Sequence, residues 1–204
     1  MQPSLPPAAQ ALAAVIVTIA IASLVAQFFV VRAEYGYGPG RTIWVMARFL
    51  TLLTTALIAI TFTALLIGQP VGGRWLAALT LADLLVAAGF HLLLRGINEV
   101  TGLEVWSDLG YHTLIPILMT LYWLVFAPKS DLVLTDVPFF LVWPGIYLSY
   151  ALTRGGLDGI FPYPFLDPSA IGWTPVFRTI GVFTLGLLVA GSAMVLLGRL
   201  IDRA

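Results

Sequence analysis

A threonine in one apolar segment and a histidine in another carry the most informative chemistry of this sequence. Thr51 lies within a hydrophobic stretch, and Asp108 and His112 stand four residues apart at the start of a later one. A neutral imidazole accepts a proton from a hydroxyl, and a nearby carboxylate fixes its tautomer. Thr51 could therefore attack an ester carbonyl while His112 takes its proton.

Other polar residues share these segments. Arg48 and Thr55 flank Thr51 at spacings of three and four residues, which places them on one face of a helix. His91 and Arg95 are one turn apart near the end of the apolar segment between those of Thr51 and His112. Charges inside a bilayer are costly unless they face protein or water. Either arginine, or a hydroxyl group, could bind a lipid carboxylate or stabilise an oxyanion.

Structural roles compete with these chemical ones. Transmembrane threonines commonly bond the carbonyl four residues earlier or a neighbouring helix, and His91 could be an interfacial histidine. His112 could also be purely structural. Asp83 is expected to be a buried polar residue that bonds another helix, with ion coupling as the competing role. No metal site is expected, because the two histidines form no HExxH or similarly spaced set.

The elements that must position these residues are transmembrane helices. The chain has 204 residues, of which 60% are hydrophobic and only 10% charged, far from soluble-globular composition. About 20 apolar residues in a helix cross a bilayer core. We therefore predict an all-α, polytopic integral membrane protein: one domain over 1–204, a bundle of six transmembrane helices with both termini on one side. The expected spans are about Ala8–Val31, Thr42–Ile67, Trp75–Leu94, Leu109–Phe126, Leu132–Leu152 and Thr174–Leu197.

Composition also limits the partners. Ten Lys and Arg residues balance ten Asp and Glu residues, so the basic field that nucleic-acid binding needs is missing, and no nucleic-acid partner is expected. The chain has no Cys, which removes thiolate sites and cysteine nucleophiles. We find no repeat between the two halves, which weakens a transporter interpretation. The expected partners are membrane lipids and a lipid or fatty ester substrate, and no cofactor is expected.

Three short motifs resemble those of a family of six-span membrane enzymes, the androgen-induced protein and the androgen-dependent TFPI-regulating protein. Arg48-Phe49-Leu50-Thr51-Leu52 is similar to the family's basic-aromatic-Leu-Thr-Phe motif. Asp108-Leu109-Gly110-Tyr111-His112-Thr113 resembles its Asn-His-Gly-Met-His-Thr motif, with Asp and Leu in place of Asn and the first His. Tyr163-Pro164-Phe165-Leu166 resembles a run before the last span.

The resemblance implies an intramembrane threonine hydrolase of fatty-acyl esters, such as fatty acid esters of hydroxy fatty acids. Thr51 would be the nucleophile and His112 the base. Arg48, Thr55, His91, Arg95 and Asp108 would position substrate or support the catalytic pair.

The resemblance also implies a cell (plasma or inner) membrane protein with cytoplasmic termini. Six basic residues lie on the membrane face that carries the longer predicted loops, and four lie on the face that carries both termini. Counted literally under the positive-inside rule, these numbers would make the face with the longer loops cytoplasmic, which is the opposite orientation. Two other functions are open. One is a small-molecule or ion transporter that uses buried charges, and the other is a noncatalytic lipid-binding protein.

Overall fold

The computed structural model describes residues 5–96 and 100–202. Within these ranges the chain is all-helical, and no strand is found. It divides into two compact units, residues 1–128 and 129–204. All of the candidate site residues belong to the first unit.

Six α-helices and two π-helical segments build the first unit. The π-helical segment Phe90–Leu94 extends α4, and the segment Gly110–Leu114 joins α5 to α6. The helices are α1 (Pro7–Tyr35), α2 (Pro39–Met46), α3 (Leu50–Leu66), α4 (Gly73–Gly89), α5 (Leu103–Leu109) and α6 (Ile115–Val125).

Helix α3 packs against both α4 and α6. The indole nitrogen of Trp75 in α4 donates to the hydroxyl oxygen of Thr61 at 3.1 Å. Phe62 of α3 meets Tyr122 of α6 edge to face, with ring centroids 4.7 Å apart. Large apolar side chains with almost no exposure fill the space between these helices and α1, as close packing of helices requires. They include Ile16, Ile58, Phe62, Leu79, Ile115 and Met119.

The predicted second span, Thr42–Ile67, is wrong as a continuous helix. Helices α2 and α3 meet at an angle of 101° across a break at residues 47–49. Phe49 has an extended backbone, with φ −99° and ψ 131°, directly before the first residue of α3. Neither Pro nor Gly stands in the break, so the usual sequence signals of a kink are missing. As a consequence, Thr51 lies in the first turn of a helix instead of in the middle of a continuous one.

The second unit is also helical. It contains α7 (Val137–Phe140), α8 (Val142–Asp158), α9 (Pro168–Ile171) and α10 (Trp173–Asp202). The predicted fifth span, Leu132–Leu152, is displaced, because its main helix begins at Val142 and continues to Asp158. A short 3₁₀ turn and α7 occupy the start of the predicted span, where the Asp136 carboxylate accepts from the N–H of Val133 at 3.0 Å.

Three helices of the described residues are long and apolar enough to cross a membrane. They are Pro7–Tyr35, Gly73–Leu94 and Trp173–Asp202, and the bent pair α2–α3 makes a fourth if it counts as one span. The prediction of an all-helical protein with membrane-crossing helices is thus confirmed, whereas neither the number of six spans nor the position of the termini on one side is confirmed. The helical run from Leu103 to Val125 is absent from this set, in keeping with the polar residues Glu104, Asp108 and His112 in its first half.

Candidate functional site

Thr51, His112 and Asp108 lie in a line at one end of the first unit. The hydroxyl oxygen of Thr51 is 3.5 Å from Nε2 of His112, and Nδ1 of the same ring is 2.8 Å from a carboxylate oxygen of Asp108. The side chain of His112 is 11% exposed and that of Asp108 is 21% exposed, so water has little access to the imidazole. The arrangement is hydroxyl, imidazole and carboxylate in sequence, as in hydrolytic triads.

The hydroxyl of Thr51 differs from other threonine hydroxyls of the chain in its partner. The hydroxyls of Thr18 and Thr80 each donate to the carbonyl four residues earlier in their own helix, and that of Thr42 donates to Gly38, directly before α2. The residue four positions before Thr51 lies in the break at residues 47–49. The Thr51 hydroxyl instead lies close to His112, in another helical segment.

Both histidines lie in π-helical segments, which often occur at functional sites. In each segment an N–H bonds the carbonyl five residues earlier: Arg95 bonds Phe90, and Ile115 bonds Gly110. The carbonyl of His112 cannot receive an N–H from Pro116, because proline has none. Nε2 of His91 lies 3.1 Å from this carbonyl oxygen and, as the only possible donor of the pair, must carry a proton to bond it. His91 thus contacts the backbone that carries His112.

Aromatic rings enclose the His112 imidazole. Phe90 stacks on it in parallel, with ring centroids 3.7 Å apart and planes at 6°. Tyr111 meets it edge to face at 4.8 Å. Because one face is covered and one edge is blocked, the plane of the imidazole is restrained.

A hydrogen-bond cluster fixes Tyr111 in turn. The amide oxygen of Gln27 in α1 accepts from the Tyr111 hydroxyl at 2.7 Å and from the Ser107 hydroxyl at 2.9 Å. Gly110, next to Tyr111, lies so close to Ser23 of α1 that a side chain in its place would overlap the Ser23 hydroxyl. Helix α1 therefore holds the segment that carries His112 at close range.

The other predicted site residues are placed differently. Arg48 is buried within the break before α3, and Thr55 is buried one turn below Thr51. Arg95 is exposed at the end of its π-helical segment, and its guanidinium group has no hydrogen-bond or ion-pair partner in the described part of the chain. The structure brings Thr51, Asp108, His112 and the ring of His91 together, and it does not bring Arg95 to them.

Acidic residues lie near Asp108. Glu104 precedes Asp108 by one turn in α5, and the negative charges of Glu34 and Asp108 both act on its carboxyl group. Across residues 5–96 and 100–202, no group of three or more His, Asp and Glu side chains is placed to bind a metal ion.

An apolar cavity of about 480 Å³ lies between α1 and the broken pair α2–α3. Its lining is almost wholly hydrocarbon and includes Phe28, Phe29, Met46, Leu52, Leu53 and Ala56. Leu52 is the residue directly after Thr51, so the cavity begins beside the turn that carries the Thr51 hydroxyl.

Asp83 lies in α4, away from these residues. It is 1% exposed, and its Oδ2 atom has no hydrogen-bond partner among the described residues. The expected bond from Asp83 to another helix is thus not formed by this oxygen.

Phe90, Tyr111, Gln27 and Ser107 were not predicted as site residues. The four-residue spacing of Ser107 and Tyr111 was a local signal that could have indicated a shared helix face. Gln27, an amide within a long apolar helix, was a second signal.

No known protein family, curated protein or solved structure matches this chain.

Proposed function

We propose that this protein hydrolyses fatty-acyl esters within the membrane, with Thr51 as nucleophile and His112 as general base. The observation that carries the proposal is the 3.5 Å approach of the Thr51 hydroxyl to Nε2 of His112. That distance is at the long end of a hydrogen bond, as is common in sites without bound substrate.

The reaction would proceed in two halves. The Thr51 oxygen attacks the ester carbonyl as its proton passes to Nε2 of His112, which gives a tetrahedral oxyanion. Collapse of this intermediate expels the alcohol, which takes the proton from His112, and leaves an acyl group on Thr51. A water molecule then attacks the acyl group as its proton passes to His112, and the carboxylic acid leaves as His112 returns this proton to the Thr51 oxygen.

The first turn of α3 offers donors for the oxyanion. The first N–H groups of a helix have no carbonyl of that helix to bond, and the helix dipole places partial positive charge there. Thr51 is the second residue of α3 and Leu52 the third. Their N–H groups adjoin the nucleophile, as the donors of an oxyanion site must.

The apolar cavity supports an acyl substrate. Its hydrocarbon lining, which includes Leu52, offers no polar partner for a headgroup. Such a lining suits the acyl chain of a fatty ester. The resemblance to the family of the androgen-induced protein supports the same substrate class, fatty acid esters of hydroxy fatty acids among them.

The remaining features of the proposal concern the membrane. We propose six spans, counting the bent pair α2–α3 as one. Leu103–Val125 and Val142–Asp158 would be the fourth and fifth spans. Both termini would lie on the cytoplasmic side of the cell membrane. Cysteine introduced near either terminus should then react only with reagents that cross the membrane.

Turnover of a long-chain nitrophenyl ester by purified protein in lipid nanodiscs tests the enzyme proposal. We expect Thr51→Ala and His112→Ala each to abolish turnover and labelling by a fluorophosphonate probe. Thr63→Ala is the matched control, since Thr63 is an exposed threonine on the same helix. If both site variants keep full turnover, the proposal is wrong.

Asp83 favours a second candidate function, transport of an ion or small molecule. A buried carboxylate oxygen without a partner is a typical feature of coupled transport sites. Proton or substrate flux in liposomes that Asp83→Asn abolishes, and that Asp131→Asn in an exposed position leaves unchanged, would establish it. A lipid bound beside His112 without turnover would instead indicate a noncatalytic lipid-binding protein.

A further inference from the structure

We infer that Asp108 is the positioning residue of the site, and that it selects the tautomer of His112 that can act as a base. The consequence for turnover rests on the proposed function, whereas the tautomer itself can be observed without any reaction. The inference starts from the short contact of 2.8 Å between Nδ1 of His112 and Oδ1 of Asp108.

A carboxylate only accepts hydrogen bonds, so Nδ1 must carry the proton in this contact. A neutral imidazole has a single N–H group, which leaves Nε2 with a free lone pair. Nε2 is the atom that faces the Thr51 hydroxyl. The contact with Asp108 therefore prepares the opposite nitrogen to receive a proton from Thr51.

The rings around His112 cannot make this selection. Stacking on Phe90 and the edge contact with Tyr111 restrain the plane of the imidazole. Rotation of the ring by a half-turn about its Cβ–Cγ bond would preserve the stacking, but it would put a ring carbon at the place of each nitrogen that now faces Thr51 or Asp108. Stacking thus fixes the plane, and the hydrogen bond to Asp108 fixes which edge faces Thr51.

Asp108 would have a second effect during the reaction. When Nε2 takes the proton of Thr51, the ring becomes an imidazolium cation next to the Asp108 carboxylate. Their attraction is little screened, because both side chains are mostly buried. The carboxylate thus stabilises the charged state of the base without itself taking the proton.

The chain offers a direct measurement, because it contains only two histidines. Protein labelled with ¹⁵N-histidine gives one set of imidazole nitrogen signals for each, and a His91→Gln variant assigns them. We expect His112 of the unchanged protein in the Nδ1–H form. Asp108→Asn should give a mixture of tautomers, because an amide can turn either its oxygen or its NH₂ group towards the ring. Asp108→Ala, which leaves no partner, should also lose the preference.

Glu104→Gln is the matched control, since it removes a carboxylate one turn earlier in α5, and it should leave the His112 signals unchanged. Thermal unfolding of each variant checks that the fold is retained. A His112 ring in the Nε2–H form, a ring protonated on both nitrogens at the working pH, or signals that neither Asp108 variant alters would each overturn the inference.

Turnover separates this inference from the proposed function. We expect Asp108→Asn to lower kcat on the order of 10²- to 10⁴-fold with KM nearly unchanged, because a positioning residue acts through His112 and not by binding the substrate. If the unchanged protein has the Nδ1–H form and hydrolyses no ester, the hydrolase proposal fails while the pairing of Asp108 with His112 is supported.

Discussion

The hydroxyl of Thr51 lies 3.5 Å from Nε2 of His112, although 61 residues separate the two in the chain. One residue stands in the first turn of α3 and the other in the π-helical segment before α6. Each of the predictions below tests a feature that maintains this approach or that would use it.

The hydroxyl group of Thr51, more than the branched shape of its side chain, should determine the rate of ester hydrolysis. Thr51→Val keeps the branched side chain but removes the oxygen, and we expect it to lose turnover on the order of 10³-fold or more. Thr51→Ser keeps the oxygen and should retain measurable turnover and probe labelling. Ester hydrolysis in nanodiscs measures both. Equal activity of the Val and Ser variants would exclude Thr51 as the nucleophile.

His91 should support the site through the backbone. His91→Leu removes the donor to the His112 carbonyl, and we expect turnover to fall on the order of tenfold, well short of the loss in His112→Ala. Pro116→Ala supplies an N–H one turn after that carbonyl and should restore part of the activity of His91→Leu. A loss in His91→Leu as large as that in His112→Ala would contradict this role and indicate direct chemistry by His91.

Gln27 should stabilise the fold through two hydrogen bonds. Gln27→Leu removes the acceptor that the hydroxyls of Tyr111 and Ser107 share, and we expect a loss of about 1–3 kcal/mol in unfolding free energy. Tyr111→Phe removes the bond to Gln27 and a longer one of 3.4 Å to the Ser107 hydroxyl oxygen, and it should cost about 0.5–1.5 kcal/mol. Denaturation in mild detergent measures both variants and the double variant. If the two single effects simply add, Tyr111 and Gln27 are not coupled.

Close packing at Gly110 should be essential. The side chain of Gly110→Ala would overlap the Ser23 hydroxyl and stand 3.1 Å from Ser23 Cβ, so we expect a loss of about 1–3 kcal/mol in stability and reduced turnover. Ser23→Gly removes both atoms and should rescue the variant. Gly89→Ala is the control: no atom lies within 4 Å of its added carbon. It should raise helix stability by about 0.5–1 kcal/mol. Unchanged stability and turnover of the Gly110→Ala variant would show that α1 does not pack closely against Gly110.

The apolar cavity should determine acyl-chain length. Ala56→Phe would fill part of it, and we expect KM for long-chain esters to rise on the order of tenfold while short-chain esters are unaffected. Ile60→Phe changes an exposed position of the same helix, where the side chain is 66% exposed, and should alter neither. Kinetics with a series of ester lengths measures the effect. An equal change in KM for short-chain and long-chain esters would show that the acyl chain does not occupy the cavity.

Local sequence patterns predicted most helical elements of the first unit, but they missed α5, which lies before the predicted fourth span, and the break between α2 and α3. Long apolar runs specify α1, α4 and most of α3, because each residue's preference acts within its own turn. The break between α2 and α3 was missed, since residues 47–49 carry neither Pro nor Gly and the hydrophobic pattern continues across them. The extended backbone of Phe49 is therefore not indicated by any local sequence signal.

The sequence by itself determined that the chain is apolar and helical, that Thr51 belongs to one such segment, and that Asp108 and His112 are one turn apart. The last relation follows from helix geometry alone, as the 2.8 Å contact reflects. Only the tertiary structure decided that Thr51 faces His112, that His91 bonds the His112 backbone, and that the Arg95 side chain is exposed and bonds neither histidine. These relations depend on how helices are rotated and shifted against one another. The close contact of Gly110 with Ser23, two residues that are distant in the chain, helps to fix that arrangement. The bend before α3 sets the direction of α3 relative to α2.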